Sequence, residues 1–186
     1  MWLMTGEGQM ACSSTENTGN RLQQVRAIFE ANYPQYQYRF VEFFIEHLSD
    51  ISRSFRGDLQ SMILLAIIGQ VQMRAMRCAA EAGENLHALP PERRSISASR
   101  IADVTGIPRQ TVRRKLEGLA RRGWIMRNDQ GAWRLVICDE QAVARTDLAE
   151  LDRRAMDRVA RLFRDLEALI DAQSASDGAA DPRCSN

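Results

Sequence analysis

Arg109, Gln110, Arg113 and Arg114 fall within six residues. An arginine fork can pair bidentately with guanine O6/N7, and a glutamine amide with adenine N6/N7. Spaced one and four apart, these side chains share one face if the segment is helical. The wider stretch Thr105–Ile125, TGIPRQTVRRKLEGLARRGWI, adds Lys115, Arg121 and Arg122 against one acid, Glu117. Residues 93–134 carry eleven lysines and arginines and three acids, +8 locally in a chain of net +1, which leaves −7 elsewhere. A solvated helix face normally interleaves both signs. A one-sign module inside a neutral chain implies a polyanionic partner.

The elements needed to present these side chains are also legible. Ser97 is a good N-cap for a short helix that turns Ile101 and Ala102 inward. Gly106 can take the positive φ of a sharp exit. Ile107 fills the corner, and Pro108 suits the first turn of a second helix. Val112, Leu116 and Leu119 form that helix's inward stripe, and Gly123 ends it. Trp124–Arg127 and Ala132–Ile137 read as two strands joined by the turn Asn128–Gly131. Helix, tight turn, helix and hairpin make a winged helix-turn-helix, whose second helix enters the major groove. Base reading is then expected from Arg109, Gln110, Arg113 and Arg114. Backbone contacts are expected from Ser97, Ser99, Arg100, Pro108 and Thr111 near the helix starts, and from Arg127 and Arg134 beside the wing turn. Arg121 and Arg122 either touch phosphate or complement the helix C-terminus.

The segment IADVTGIPRQTVRRKLEGLARRGWIMR resembles the winged-helix transcriptional regulators, most closely the MarR-like group. It shares the Ile-Ala pair, the glycine-ended turn, the Thr-Val of the recognition helix and the Gly-aromatic-Ile-x-Arg strand. The motif-level likeness covers residues 95–137, and the flanks match by layout. The resemblance implies a DNA-binding regulator, most simply a repressor, flanked by dimerisation helices. That group often has a longer wing with an Asp-x-Arg element, whereas here Asp129 is not followed by arginine two residues on. Other winged-helix families, GntR-like repressors among them, stay open.

The rest of the chain reads as mainly α: N- and C-terminal helices around the winged module. The expected divisions are a disordered 1–19, an N-terminal helical region 20–82 for dimerisation or effector binding, and a linker 83–94 marked by Pro90–Pro91. A DNA-binding domain 95–138, a C-terminal dimerisation helix 139–172 and a disordered tail 173–186 follow. Asn20–Ala31 is the first expected helix. Phe40, Phe44, Leu48, Ile51 and Phe55 mark a second, and the segment 59–82 a third, apolar nearly all round in its first half. Leu148, Leu151, Ala155, Val159, Leu162, Leu166 and Leu169 resemble a coiled-coil seam, which with the third helix points to a homodimer on a palindromic site.

The aromatics Tyr33–Phe44 read first as core. The sharper alternative is a pocket for a small aromatic or acidic effector, built from Tyr36, Tyr38, Arg39, Phe43, His47 and Arg53. Cys12, Cys78, Cys138 and Cys184 are scattered, with His47 and His87 far apart, so neither a zinc site nor any other cofactor is expected. Cys78 reads as packing. No nucleophile, metalloprotease or phosphate-loop motif points to an enzyme. The N-terminus is not a signal peptide and the Met62–Ile68 run is too short to span a bilayer, so a cytoplasmic protein with no membrane partner is expected. The alternative function is a protein–protein adaptor using the apolar third helix, or a winged helix that does not bind DNA.

Overall fold

The computed structural model describes residues 10–85 and 89–179. Seven helices and four short strands occur among them: α1 Met10–Ala31, α2 Tyr33–Ser54, α3 Leu59–Glu81, α4 Ala98–Thr105, α5 Arg109–Arg121, β1 Ile125–Arg127, β2 Trp133–Leu135, β3 Ile137–Cys138, β4 Gln141–Ala142, α6 Val143–Asp147 and α7 Ala149–Ala179. The chain divides into two compact units. One holds the residues up to Glu46 and from Met156 onward, the other His47–Ala155.

The His47–Ala155 unit is the winged module with its supporting helices. Its core joins Leu64 and Ile68 of α3, Ile101 of α4, the Val112–Leu116–Leu119 stripe of α5 and Ile125 of β1, all essentially fully buried. Phe55, Trp124, Trp133 and Leu151 close it. The spacing 112, 116, 119 follows the 3.6-residue turn, so one face of α5 is apolar and the opposite face is free for charge. α3 is long and apolar enough in length and composition to cross a membrane. Its Leu64, Leu65 and Ile68 are instead spent on this core, while Ile63 on the other side is 40% exposed.

The expected hairpin is present and antiparallel, pairing Ile125 with Leu135, Met126 with Arg134 and Arg127 with Trp133. It has a third member. Ile96 exchanges both backbone hydrogen bonds with Trp133, at 2.9 and 2.8 Å. Ile96, two residues beyond the stretch read as linker, is thus part of the sheet. Ahead of it, Pro91–Arg94 form a 3-10 turn and Leu89 is buried. The second wing strand, Trp133–Leu135, is shorter than Ala132–Ile137, although the ladder gains one more in-register bond beyond it, from the Val136 amide to Trp124 O at 3.0 Å. The chain then makes a second hairpin, β3–β4, around Asp139–Glu140, both at positive φ. Neither is a glycine, so the turn carried no sequence signature.

The other unit contains α1, the first part of α2 and the later part of α7. α1 starts at Met10, inside the stretch expected to be disordered, and α7 continues to Ala179. Residues 1–9 and 180–186 of those two expectations lie outside the described residues, as does His87. Pro34 sits in the first turn of α2, where its missing N–H costs nothing. Phe29, Tyr36, Phe40 and Phe44 stack in sequence, with ring centroids 5.0, 6.0 and 6.0 Å apart. They form a surface ladder rather than the core expected of them, since Phe40 and Phe44 are exposed. α2 and α7 meet through ion pairs: Arg158 and Arg161 reach Glu46 at 3.3 and 3.4 Å, and Arg39 reaches Asp165 at 3.8 Å. The residues of the expected coiled-coil seam are not one continuous face. Leu151 is buried in the core of the winged unit, whereas Val159 is 53% exposed.

Candidate nucleic-acid interface

The first turn of α4 is fixed by Ser97, whose Oγ accepts the Arg100 amide at 3.1 Å. Gly106 leaves the helix at φ 70°, a left-handed value costly for a residue with a Cβ. Thr105 straps this corner, its hydroxyl donating to Ile101 O at 2.8 Å and accepting from the Ile107 amide at 3.2 Å. Pro108 stands at the N-cap of α5 rather than inside its first turn, and offers no side-chain cap. The uncapped amides at this helix start favour an anion.

Arg109, Gln110, Arg113, Arg114 and Glu117 line the exposed face of α5, with Thr111 half-buried at its margin. Arg109 is 3.5 Å from Asp103, a solvent-exposed pair of small energetic consequence. Among the described residues, Arg100, Arg113, Arg114, Arg127 and Arg134 make no ion pair. The arginines of α7 differ: Arg153, Arg154, Arg158, Arg161 and Arg164 all face carboxylates. The fold supplies counter-ions for one set of arginines and withholds them from the other. Clustered like charges destabilise a helix by a few tenths of a kcal/mol per pair, which a bound polyanion offsets.

Two cations of the basic run point elsewhere. The Lys115 ammonium lies 2.7 Å from Asp58 Oδ1. The Arg122 guanidinium lies 3.9 Å over the Trp124 ring, and the Trp124 indole N–H donates to Asp147 at 2.6 Å. Sequence periodicity did not single these two out.

A cleft of about 490 Å³ opens between the start of α4, α5 and the wing, lined by Ser97, Ser99, Arg113, Glu117, Arg127, Gly131 and Trp133. Arg127 is prearranged there. Its guanidinium lies 5.5 Å from the Trp133 ring centroid, and its Nε donates to Gly131 O at 3.4 Å. A Cβ at position 131 would come within 3.0 Å of Arg127 Nη2, and Gly131 has φ +79°. Asn128, which the sequence reading used only as a turn residue, ties the wing tip down. It accepts the Ala132 amide at 2.8 Å and donates to Ser95 Oγ at 3.1 Å. Arg134 belongs to the opposite face of the hairpin, beside Met126. It is half-buried, with Nη1 donating to Leu135 O at 3.5 Å. The two wing arginines therefore serve different faces.

The residues expected to form an effector pocket fall in both compact units. Tyr36 is a rung of the aromatic ladder, and exposed Tyr38 donates weakly to Glu42. Arg39 and Phe43 line a groove of about 230 Å³, but Arg39 already faces Asp165 there. Arg164 beside Asp165 is the main reason its carboxyl lies below the ordinary range. Arg53 pairs with buried Asp50, and His47 belongs to the other compact unit, half-buried in α2. Cys78 is an exposed free thiol rather than a packed one.

Residues 86–129 match the family model described as the IclR helix-turn-helix domain. The match spans α4, α5 and β1 and stops before β2, so neither set of terminal helices contributes to it. It names the IclR-type module rather than the MarR-like group. No curated protein and no solved structure matches the chain. The match and the geometry agree at the level of the module: the chain carries the winged helix-turn-helix DNA-binding domain of a transcriptional regulator.

Proposed function

We propose that the protein is an intracellular, sequence-specific repressor that binds duplex DNA as a homodimer, with α5 in the major groove. The observation that carries this reading is the counter-ion-free face of Arg113 and Arg114 at the start of α5, beside the wing arginine Arg127. Arg109, Gln110, Arg113 and Arg114 read base edges. Ser97, Ser99, Arg100, Thr111 and Arg127 hold the backbone. Helices on both sides of the module support the MarR-like layout, and the match to an IclR-type module supports the DNA contact without reaching those flanks. Exposed Met156, Val159 and Phe163 on α7 support self-association, since such side chains gain from leaving water.

Retardation of a random-sequence duplex at low salt, followed by selection from a random pool, tests this. Arg113→Ala is expected to cost about 1–3 kcal/mol on the selected duplex and to relax preference at one position. Arg127→Ala is expected to weaken all sequences alike and to flatten the salt dependence by about one unit. A wild-type protein that shifts no duplex is an adaptor rather than a DNA-binding regulator.

A further inference from the structure

The corner between α2 and α3, Phe55–Asp58, touches the recognition helix at two places. Asp58 is the N-cap of α3: its Oδ1 accepts the Ser61 amide at 3.0 Å and its Oδ2 accepts the Ser61 hydroxyl at 2.7 Å. The same Oδ1 receives the Lys115 ammonium at 2.7 Å, in the middle of α5. Phe55 is buried and packs edge-on against Trp124 just beyond the end of α5, with centroids 5.8 Å apart. Arg122, the C-cap of α5, reaches over both rings.

Lys115 thus differs from its neighbours Arg113 and Arg114. Its side chain is 21% exposed, against the open solvent around theirs, and it has a carboxylate partner where they have none among the described residues. A lysine in a basic run would ordinarily count as a phosphate ligand. Here it lies between the exposed arginine face and the buried Leu116 stripe, at the margin where α5 meets α3. Apolar packing at Val112, Leu116 and Leu119 sets how closely α5 approaches α3, yet it resists sliding and rolling only weakly because it is non-directional. A charge-assisted hydrogen bond to an atom already fixed by Ser61 is directional.

We propose that Lys115 is a positioning residue: its bond to Asp58 sets the roll of the recognition helix, and hence where Arg109, Gln110, Arg113 and Arg114 meet the base edges. This rests on the DNA-binding reading above. A misrolled helix still presents its charge to phosphates, so the loss falls on the specific complex and spares the non-specific one. A phosphate-binding lysine would do the opposite, lowering both affinities and the salt slope.

The test uses the full chain, a duplex selected from a random pool by the wild type, and a random-sequence duplex, each titrated across a salt series. The variants are Lys115→Met, which keeps the apolar stem, Asp58→Asn, which keeps an N-cap, the double variant, and Lys115→Arg. Thermal unfolding verifies that each is folded. Each of the two disruptive single variants is expected to bind the selected duplex roughly three- to thirtyfold more weakly, within the range of coupling for residues in direct contact. Random-duplex affinity and salt slope stay as in the wild type, the double variant is no worse than either single one, and Lys115→Arg recovers most of the loss. A salt slope reduced by about one unit in Lys115→Met would make Lys115 a phosphate ligand and overturn the proposal. So would wild-type binding by both variants, or losses that multiply in the double variant. A wild type that shifts neither duplex overturns the DNA reading itself, and with it this proposal, without recourse to any variant.

Discussion

Arg127 and Gly131 illustrate what single residues contribute. The glycine matters twice, by its positive φ and by leaving space for the guanidinium of Arg127. Gly106 matters once: its φ is 70°, but a Cβ there would meet nothing within 4 Å. Alanine at either position should cost about 1–2 kcal/mol, the penalty of a left-handed backbone. Only Gly131→Ala should also weaken DNA binding, because it dislodges Arg127. Thermal melts together with retardation of a random duplex separate the two effects. Equal DNA affinity in both variants would show that Arg127 does not need its prearranged pose.

Element by element, α5 depends on its buried stripe and α4 on its cap. Leu116→Ala should destabilise by about 2–5 kcal/mol, as for other fully buried leucines. Ser97→Ala should cost about 1 kcal/mol through the lost cap to the Arg100 amide. Denaturant unfolding monitored by the tryptophans measures both. The N-cap of α3 adds a pH dependence. Partial burial raises the Asp58 carboxyl, but hydrogen bonds from Lys115 and Ser61 outweigh it and hold the group below its ordinary value. A lowered folded-state value stabilises fully above the unfolded value of about 3.9 and is lost as pH falls through the folded one. The gap in melting temperature between wild type and Asp58→Asn should stay constant from about pH 7 to pH 5 and narrow only below about pH 4. A gap that closes near neutral pH would point to a different titrating group.

On the scale of the whole molecule, the prediction concerns assembly. Two recognition helices in a symmetric dimer stand about one DNA turn apart, ~34–36 Å, and select a palindrome. Sedimentation at micromolar concentration should therefore show about twice the 21.1 kDa chain mass. Phe163→Glu is expected to shift the protein toward monomer and to weaken the selected palindrome more than a single half-site, because Phe163 is exposed and apolar on α7. Leu162 is a poorer choice, since it lines the groove between α2 and α7 and its loss would disturb the subunit itself. A clean 21.1 kDa species that binds one half-site tightly would remove the dimer from the proposal.

The sequence by itself determined the helix-turn-helix. Ser97, Gly106 and the stripe Val112–Leu116–Leu119 act through caps, backbone dihedrals and a 3.6-residue period, all set within a turn or two of chain. It also determined that positive charge collects around α5. What it could not determine was which of those charges remain unpaired. Lys115 meets Asp58 and Arg122 meets Trp124 only after α5 has packed against its supports, whereas Arg113 and Arg114 meet no acid among the described residues. Tertiary structure likewise decided that Ile96 completes the wing sheet and that a second hairpin follows at Asp139–Glu140. Each of these depends on partners distant in sequence or on a turn without its usual glycine. Local periodicity fixes which face of a helix is apolar, but packing chooses what that helix lies against.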